Sequence, residues 1–504
     1  MSRHKPRLAP GEVAKGLFIL DPDRDERASQ LCMETLLTLA ANRYAGPAST
    51  GLMTSPKRRR FALRSLALGE NFLAGRDQGR AGDEDSTPER YGGRLAAGEE
   101  LRGSSNLRLA RSVLEGLVDP STQSGQPGTW LLFPFHESLL WYDARRQRGR
   151  PWAVRKVYMR GSGITLARLL VDPPDGVSHE LGDKAVAALR SALLAPSSLQ
   201  HIADRLEEAL PRALESDPAV EEDEKDAWEA GGSERLATLA ERLCRHCEGI
   251  MSQGAASGPA RLWQLRTILG LDLAQHALQV AWEATQTPER QRYLLLTFGG
   301  PPRAENRVRQ RSEETYQAAR IAIREAIVRT LARRMQELAS DEADGVEWSE
   351  EFEARSGLGE IAQRLASVKR PEEFDGLARE AFEHANYDRA GNGFRVLLES
   401  SGMLAGTGEY RYLSATPDLL SAMVGALSAD MPMPSSEFWA RAFQEWRVVA
   451  AAEALADTGL AGRLDGADLE RNARRAEQAM AEAGLALALS DRTTLVGDRA
   501  RRTK

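Results

Sequence analysis

The stretch PPRAENRVRQRSEETYQAARIAIREAIVRTLARRMQELAS, residues 301–340, is the longest uninterrupted helical pattern in the chain. Pro302 lies near its start, and no Gly or Pro follows until Gly345. At about 100° per residue, one side is apolar and comprises Tyr316, Ile323, Ile327, Leu331, Met335 and Leu338, with Ile321 and Val328 at its margin. The opposite side carries Arg307, Arg311, Arg329 and Arg333. The sequence predicts one long helix whose basic side is either solvated or faces an anion.

The composition is that of an ordinary soluble protein. The 504 residues suffice for several domains, and 42% of them are hydrophobic. The net charge is −6, but residues 1–160 are net basic and the remainder is net acidic, which favours a local anionic partner. Three cysteines do not make a disulfide framework. No apolar run is long enough to cross a bilayer, so we expect a cytoplasmic protein of prokaryotic type with no membrane partner.

The pattern of the chain predicts a mainly α, multidomain protein with a small β element near residues 129–160. An N-terminal helical region (1–75) is followed by a Gly-rich linker (76–105) and by a small α+β region (106–180). A central helical domain (181–340) and an acidic linker (341–354) precede two C-terminal modules, residues 355–430 and 431–498.

The β element is predicted to be a basic hairpin. The segments WLLFPF (130–135), SLLWY (138–142) and WAVRKVYM (152–159) are rich in aromatic and β-branched residues, and an arginine-rich loop at 143–150 joins the last two. The cations are Arg145, Arg146, Arg148, Arg150, Arg155, Lys156 and Arg160. Cations interleaved with rings are typical of a nucleic-acid contact. The alternative is an amphipathic hairpin with core aromatics and solvated arginines.

Two C-terminal segments, FRVLLESSGMLAGTGEYRYLS and AMAEAGLALALSDRTTLVG, each join a helix that ends at Gly to a short polar hairpin. Thr416-Pro417 marks a new helix start after the first segment, and the pattern predicts further helices at about 435–456 and 466–483. This order resembles tandem winged-helix modules. The resemblance implies that Arg395 and Arg411 face DNA in the first module; the candidates in the second are Arg471, Arg474, Arg475 and Arg492. Winged helices also serve protein contacts.

Three sequence features are candidates for a metal site, a phosphate site or a catalytic site. Cys244-Arg-His246-Cys247 has no second Cys/His pair at zinc-finger spacing, so buried or idle cysteines are expected. Gly161-Ser162-Gly163 precedes a helix whose free N–H groups suit either a phosphate or an ordinary cap. Glu137 and Asp143, with His136 and Lys156 nearby, are the weak catalytic candidates for a metal-dependent nuclease. No cofactor fingerprint occurs.

From the sequence we expect a non-enzymatic, mainly helical accessory subunit. It is expected to bind DNA, duplex or single-stranded, and to dock onto protein partners. One alternative is a metal-dependent nuclease that uses Glu137 and Asp143. A second is a structural interaction subunit without nucleic-acid binding. In its layout the chain is also similar to large helical accessory proteins of bacterial anti-phage defence operons.

Overall fold

The computed structural model describes residues 10–19, 27–41, 144–147, 150–154, 161–194, 233–253, 256, 258–339, 360–361, 364, 368, 370–384, 389–428, 431–489 and 493–497. Within these ranges the protein is mainly helical. The helices are α1 (Pro10–Phe18), α2 (Ala28–Ala41), α3 (Ser162–Val171), α4 (His179–Leu193), α5 (Ser233–Met251), α6 (Gly258–Ala284), α7 (Arg307–Ala339), α8 (Pro371–His384), α9 (Arg389–Ser400), α10 (Pro417–Leu427), α11 (Ser435–Trp446) and α12 (Gly466–Glu482).

The strands are short and form four small sheets. They are β1 (Ala144–Gln147), β2 (Arg150–Val154), β3 (Leu294–Leu295), β4 (Leu404–Ala405), β5 (Tyr412–Leu413), β6 (Met433–Pro434), β7 (Val448–Val449), β8 (Ala486–Ala488) and β9 (Thr494–Val496). β1–β2 and β4–β5 are antiparallel hairpins, and β3 pairs in parallel with β7. The remaining sheet has the strand order β6-β9-β8, and both of its pairings are antiparallel.

Helices α6 and α7 contact many of the other helices and contribute many of the buried residues of the core. α6 is buried on most sides, as its even spread of Leu, Ile and Val predicts, and it packs against α2, α5, α7, α9 and α10. On α7 the predicted apolar face is confirmed, because Tyr316, Ile323, Ile327, Leu331 and Met335 are all buried. Ile321, placed at the margin of that face, is 58% exposed. Most of the buried hydrophobic residues described, from Val13 to Val496, form one continuous cluster, and a second, smaller cluster contains Tyr293, Val308 and Leu469.

Both C-terminal helix ends predicted from glycine adopt the expected geometry. Gly402 has φ +76° and Gly484 has φ +70°, values that glycine adopts without strain. After each glycine the next residue bonds back across the last helical turn, Met403 N–H to the Leu398 carbonyl and Leu485 N–H to the Met480 carbonyl, both at 2.8 Å. Thr416 accepts a hydrogen bond from Leu419 N–H at 3.2 Å, the predicted N-cap contact.

Two element boundaries differ from the sequence prediction. The helix predicted over 435–456 ends at Trp446, since Arg447 adopts a left-handed φ of +53° and Val448–Val449 pairs with β3. In the basic hairpin, the sequence predicts a loop over 143–150, but Ala144–Gln147 and Arg150 lie in strands β1 and β2. Gln147 pairs with Arg150, and a two-residue connection containing Gly is common in tight hairpins.

Candidate nucleic-acid interface

The β4–β5 hairpin and the start of α7 bring arginine and tyrosine side chains to one surface. Residues 406–411 form the connection between the two strands, which we call the wing. The segment Tyr410-Arg411-Tyr412, which joins the end of the wing to β5, lies beside residues 303–309, about a hundred positions earlier in the chain. We define the arginine–tyrosine surface as Arg303, Arg309, Arg395, Arg411, Tyr410 and Tyr412.

Arg303 and Arg309 each stack on a tyrosine of the hairpin. The Arg303 guanidinium carbon lies 5.0 Å from the Tyr410 ring centroid, and that of Arg309 lies 4.1 Å from the Tyr412 centroid. Such cation–π contacts hold a guanidinium flat against a ring. Arg303 Nε also donates to Glu313 Oε2 at 2.8 Å. Tyr410 is 57% exposed, so part of its ring remains open to solvent beside Arg303.

Arg395 and Arg411, the two cations predicted for the first module, share one carboxylate. Arg395 Nη1 donates to Glu399 Oε2 at 2.8 Å, and Arg411 Nη2 lies 3.2 Å from Glu399 Oε1. Their side chains are 22% and 25% exposed. Four guanidinium groups of the surface thus face the carboxylates of Glu313 and Glu399, and the wing adds the exposed Glu409.

The helix that the resemblance assigns to DNA reading in the first module is largely covered. α9 packs against α6 and α7, and Phe394, Val396, Leu397 and Leu398 are buried. The part of α9 that reaches solvent is therefore too narrow to present a free helix face to a major groove.

Helix α12, the corresponding helix of the second module, has a free side of mixed charge. Leu469, Asn472, Ala476 and Met480 face the core. On the outer side Arg471 pairs with Asp468 at 2.5 Å and Arg474 with Glu470 at 3.6 Å. The guanidinium of Arg475 lies instead against Gly300, where an added Cβ would meet Arg475 Nη1 at 2.5 Å. Because positive and negative side chains alternate on the outer side of α12, this side does not favour binding of a polyanion.

The other predicted contact residues are placed only in part. Arg145 and Arg146 lie in β1 and Arg150 in β2. The remaining candidates lie outside the described residues, namely Arg148, Arg155, Lys156, Arg160, Arg492, Glu137 and Asp143. For these positions the sequence predictions remain predictions.

The glycine-flanked start of α3 is occupied by the protein's own carboxylate. Glu34 on α2 is buried, and it accepts hydrogen bonds from Gly161 N–H at 3.0 Å and Gly163 N–H at 2.8 Å. A carboxylate is stabilised at this positive end of the helix. The segment is therefore a cap made by α2, and the phosphate interpretation of Gly161-Ser162-Gly163 is not supported.

Cys244, His246 and Cys247 are buried in the core rather than joined in a metal site. Burial raises the pKa of Cys244 to about 12 and that of Cys247 well above its usual value, which disfavours thiolates. His246 Nδ1 lies 2.9 Å from Asp272 Oδ2, and Trp446 Nε1 donates to Asp272 Oδ1 at 2.8 Å. This network connects α5, α6 and α11.

The described residues contain neither a metal-binding group nor a membrane-spanning helix. Within the described ranges, no group of three or more His, Cys, Asp or Glu side chains is placed to hold a metal ion. No helix in the same ranges has the length and hydropathy needed to span a membrane. Comparison with known proteins returns no matching family model, no matching curated protein and no matching solved structure.

Proposed function

We propose that the chain is a non-enzymatic nucleic-acid-binding protein that holds a strand at the arginine–tyrosine surface and docks onto a partner protein through α12. The observation that carries the proposal is the convergence of four arginines and two tyrosines around the wing. Guanidinium groups suit phosphate oxygens, and an exposed ring such as that of Tyr410 suits base stacking.

The burial of α9 favours binding to phosphates and unstacked bases over sequence readout in a DNA groove. Sequence readout in duplex DNA needs an element that enters a groove and presents side chains to base edges. With α9 packed on α6 and α7, the contacts that this surface offers are to phosphates and to the faces of unstacked bases. Binding of this type tolerates many sequences and favours single strands.

The C-terminal module supports the docking half of the proposal. The order α10, β6, α11, β7, α12, β8, β9 and the sheet order β6-β9-β8 support the likeness of this part of the chain to a winged helix. Because the outer side of α12 alternates Arg471 and Arg474 with Asp468 and Glu470, it matches a protein surface of mixed charge better than a polyanion.

The test is a titration of a labelled single strand and a labelled duplex with the full chain and with Tyr410→Ala. Loss of one stacking partner weakens single-strand binding by about tenfold. The matched control is Ile321→Ala, which truncates another exposed apolar side chain, 58% exposed on α7. Wild-type affinity in Tyr410→Ala, with the melting temperature unchanged, would contradict the proposal.

The basic hairpin is tested separately, because its cations add a second expected contact. Changing Arg145, Arg146, Arg148 and Arg150 to Ala removes four charges from the β1–β2 region. We expect weaker binding to both strand and duplex and a smaller response of affinity to salt. Strand cleavage in Mg²⁺ that is lost in Glu137→Ala would support the nuclease alternative instead.

A further inference from the structure

The floor of the arginine–tyrosine surface contains a buried phenol. Tyr316 of α7 has 0% exposure, and among the described residues its Oη has no hydrogen-bond partner. Arg320, one helical turn later, places its guanidinium carbon 5.9 Å from the Tyr316 ring centroid. A buried hydroxyl without a partner is costly, so its presence below a cationic surface calls for an acceptor.

Three arginines act electrostatically on this phenol, and one carboxylate opposes them. The charges of Arg320, Arg411, Arg395 and Glu399 all act on the Tyr316 hydroxyl. Glu399 engages the Nη groups of Arg395 and Arg411. The Nε atoms of Arg320 and Arg411 are shielded from solvent and, within the described part of the chain, have no hydrogen-bond partner.

We propose that Tyr316, Arg320 and Arg411 form a binding site for a phosphate group. The proposal rests on the nucleic-acid function proposed above, and it identifies a backbone phosphate of the bound strand as the ligand. When the Arg411 side chain, which is 25% exposed, moves to admit the phosphate, the tyrosine O–H and the two Nε–H groups donate to its oxygens, while Arg395 keeps Glu399 engaged. Three cations against one carboxylate leave the cluster net positive, which favours an oxyanion.

The protonation state of the phenol agrees with a donor role. Burial raises the pKa of Tyr316 above its usual value, although the neighbouring arginines act in the opposite direction. The hydroxyl therefore keeps its proton at neutral pH and donates rather than accepts.

The experiment is thermal unfolding of the full chain in phosphate and in chloride at matched ionic strength, with wild type and Tyr316→Phe. In chloride, Tyr316→Phe raises the melting temperature, since it removes a buried hydroxyl without a partner. In phosphate, wild type is stabilised by ligand binding, and Tyr316→Phe loses most of that shift because its phosphate affinity falls about tenfold. Tyr293→Phe, a change at a buried tyrosine in a separate cluster, keeps the wild-type shift.

Equal phosphate shifts in wild type and Tyr316→Phe, or no shift in either, would overturn the phosphate site. The arginine–tyrosine surface would still stand if Tyr410→Ala weakened strand binding, so the two failures are distinguishable. If a short oligonucleotide raises the melting temperature of the wild type more than a mononucleotide does, the ligand is a backbone phosphate of a strand. Equal stabilisation by both would support the site but identify a free nucleotide as its ligand.

Discussion

Ser312 and Leu413 form a reciprocal pair of hydrogen bonds across 101 positions of the chain. Leu413 N–H donates to Ser312 Oγ at 2.8 Å, and Ser312 Oγ lies 3.0 Å from the Leu413 carbonyl. Both residues are completely buried. The pair fixes β5, and with it the wing, to the first third of α7, which is why arginines from the two segments meet on one surface.

Ser312→Ala leaves the Leu413 N–H without its acceptor, while the Leu413 carbonyl still accepts from Thr297 N–H at 3.0 Å. A buried donor without a partner costs about 1–3 kcal/mol of unfolding free energy, to be measured by chemical denaturation. The control Ser252→Ala, at an exposed serine, is expected to change stability by no more than about 0.5 kcal/mol. Equal effects of the two changes would contradict the anchoring role.

Trp446→Phe removes the indole donor to Asp272, which is 0% exposed. A hydrogen bond to a charged group contributes about 1.5–3 kcal/mol. Trp439→Phe is the control for lost volume, because the Trp439 indole N–H has no hydrogen-bond partner among the described residues. We therefore expect Trp446→Phe to lower the free energy of unfolding more than Trp439→Phe does, and similar losses would argue against the network.

Gly402→Ala places a side chain at φ +76°, where its Cβ would meet Thr416 Oγ1 at 2.2 Å. Strain from the left-handed conformation costs about 1–2 kcal/mol, and the clash adds to it. Gly376→Ala, within α8 with nothing inside 4 Å of the added Cβ, should instead stabilise the protein by about 0.4–1 kcal/mol. Melting temperatures that move in the same direction for both variants would contradict this assignment.

His276 predicts a pH dependence of stability. Burial, with Arg242 and Arg235 nearby, lowers its pKa from 6.5 to about 3 in the folded protein. Below pH 6.5 the unfolded chain binds the proton more readily than the folded protein. As the pH falls, the free energy of unfolding therefore falls by up to about 1.4 kcal/mol per pH unit. Between pH 6.5 and about 5, above the ordinary carboxylate range, His276→Leu should show a flatter profile. An unchanged slope would contradict the prediction.

Much of the helical framework follows from local sequence signals. The 3.6-residue pattern identifies the buried side of α7, and glycines and Thr416-Pro417 mark helix ends. The strands were harder to predict because pairing between distant segments creates them. β3 pairs with β7 across more than 150 positions, and β6 acquires its strand character only beside β9. No local pattern encodes such two-residue strands.

The candidate interface was predictable in part. Arg395 and Arg411 were singled out from the helix–hairpin order, and the structure brings them together on Glu399. Local sequence gives no signal for Arg303, Arg309, Tyr316 and Arg320 as part of the proposed interface, because long-range packing brings them beside the wing. The alternation in Tyr410-Arg411-Tyr412 was the available signal, since it places the two tyrosines on one side of a strand. On the opposite side of α7, Arg307, Arg329 and Arg333 are exposed, as a solvated basic side requires, and Arg329 also donates to the Thr285 carbonyl.

The most direct test of the account is the salt dependence of single-strand affinity for wild type and Arg411→Gln. Glu399 keeps its bond to Arg395 in this variant, and an unchanged melting temperature serves as the check that the fold is retained. If the surface binds phosphates, log affinity falls linearly with log salt in wild type, and the slope in Arg411→Gln is smaller by about 0.7 per lost contact. No binding by wild type at low salt, or identical slopes for the two proteins, would contradict the proposal that this surface holds a nucleic-acid strand.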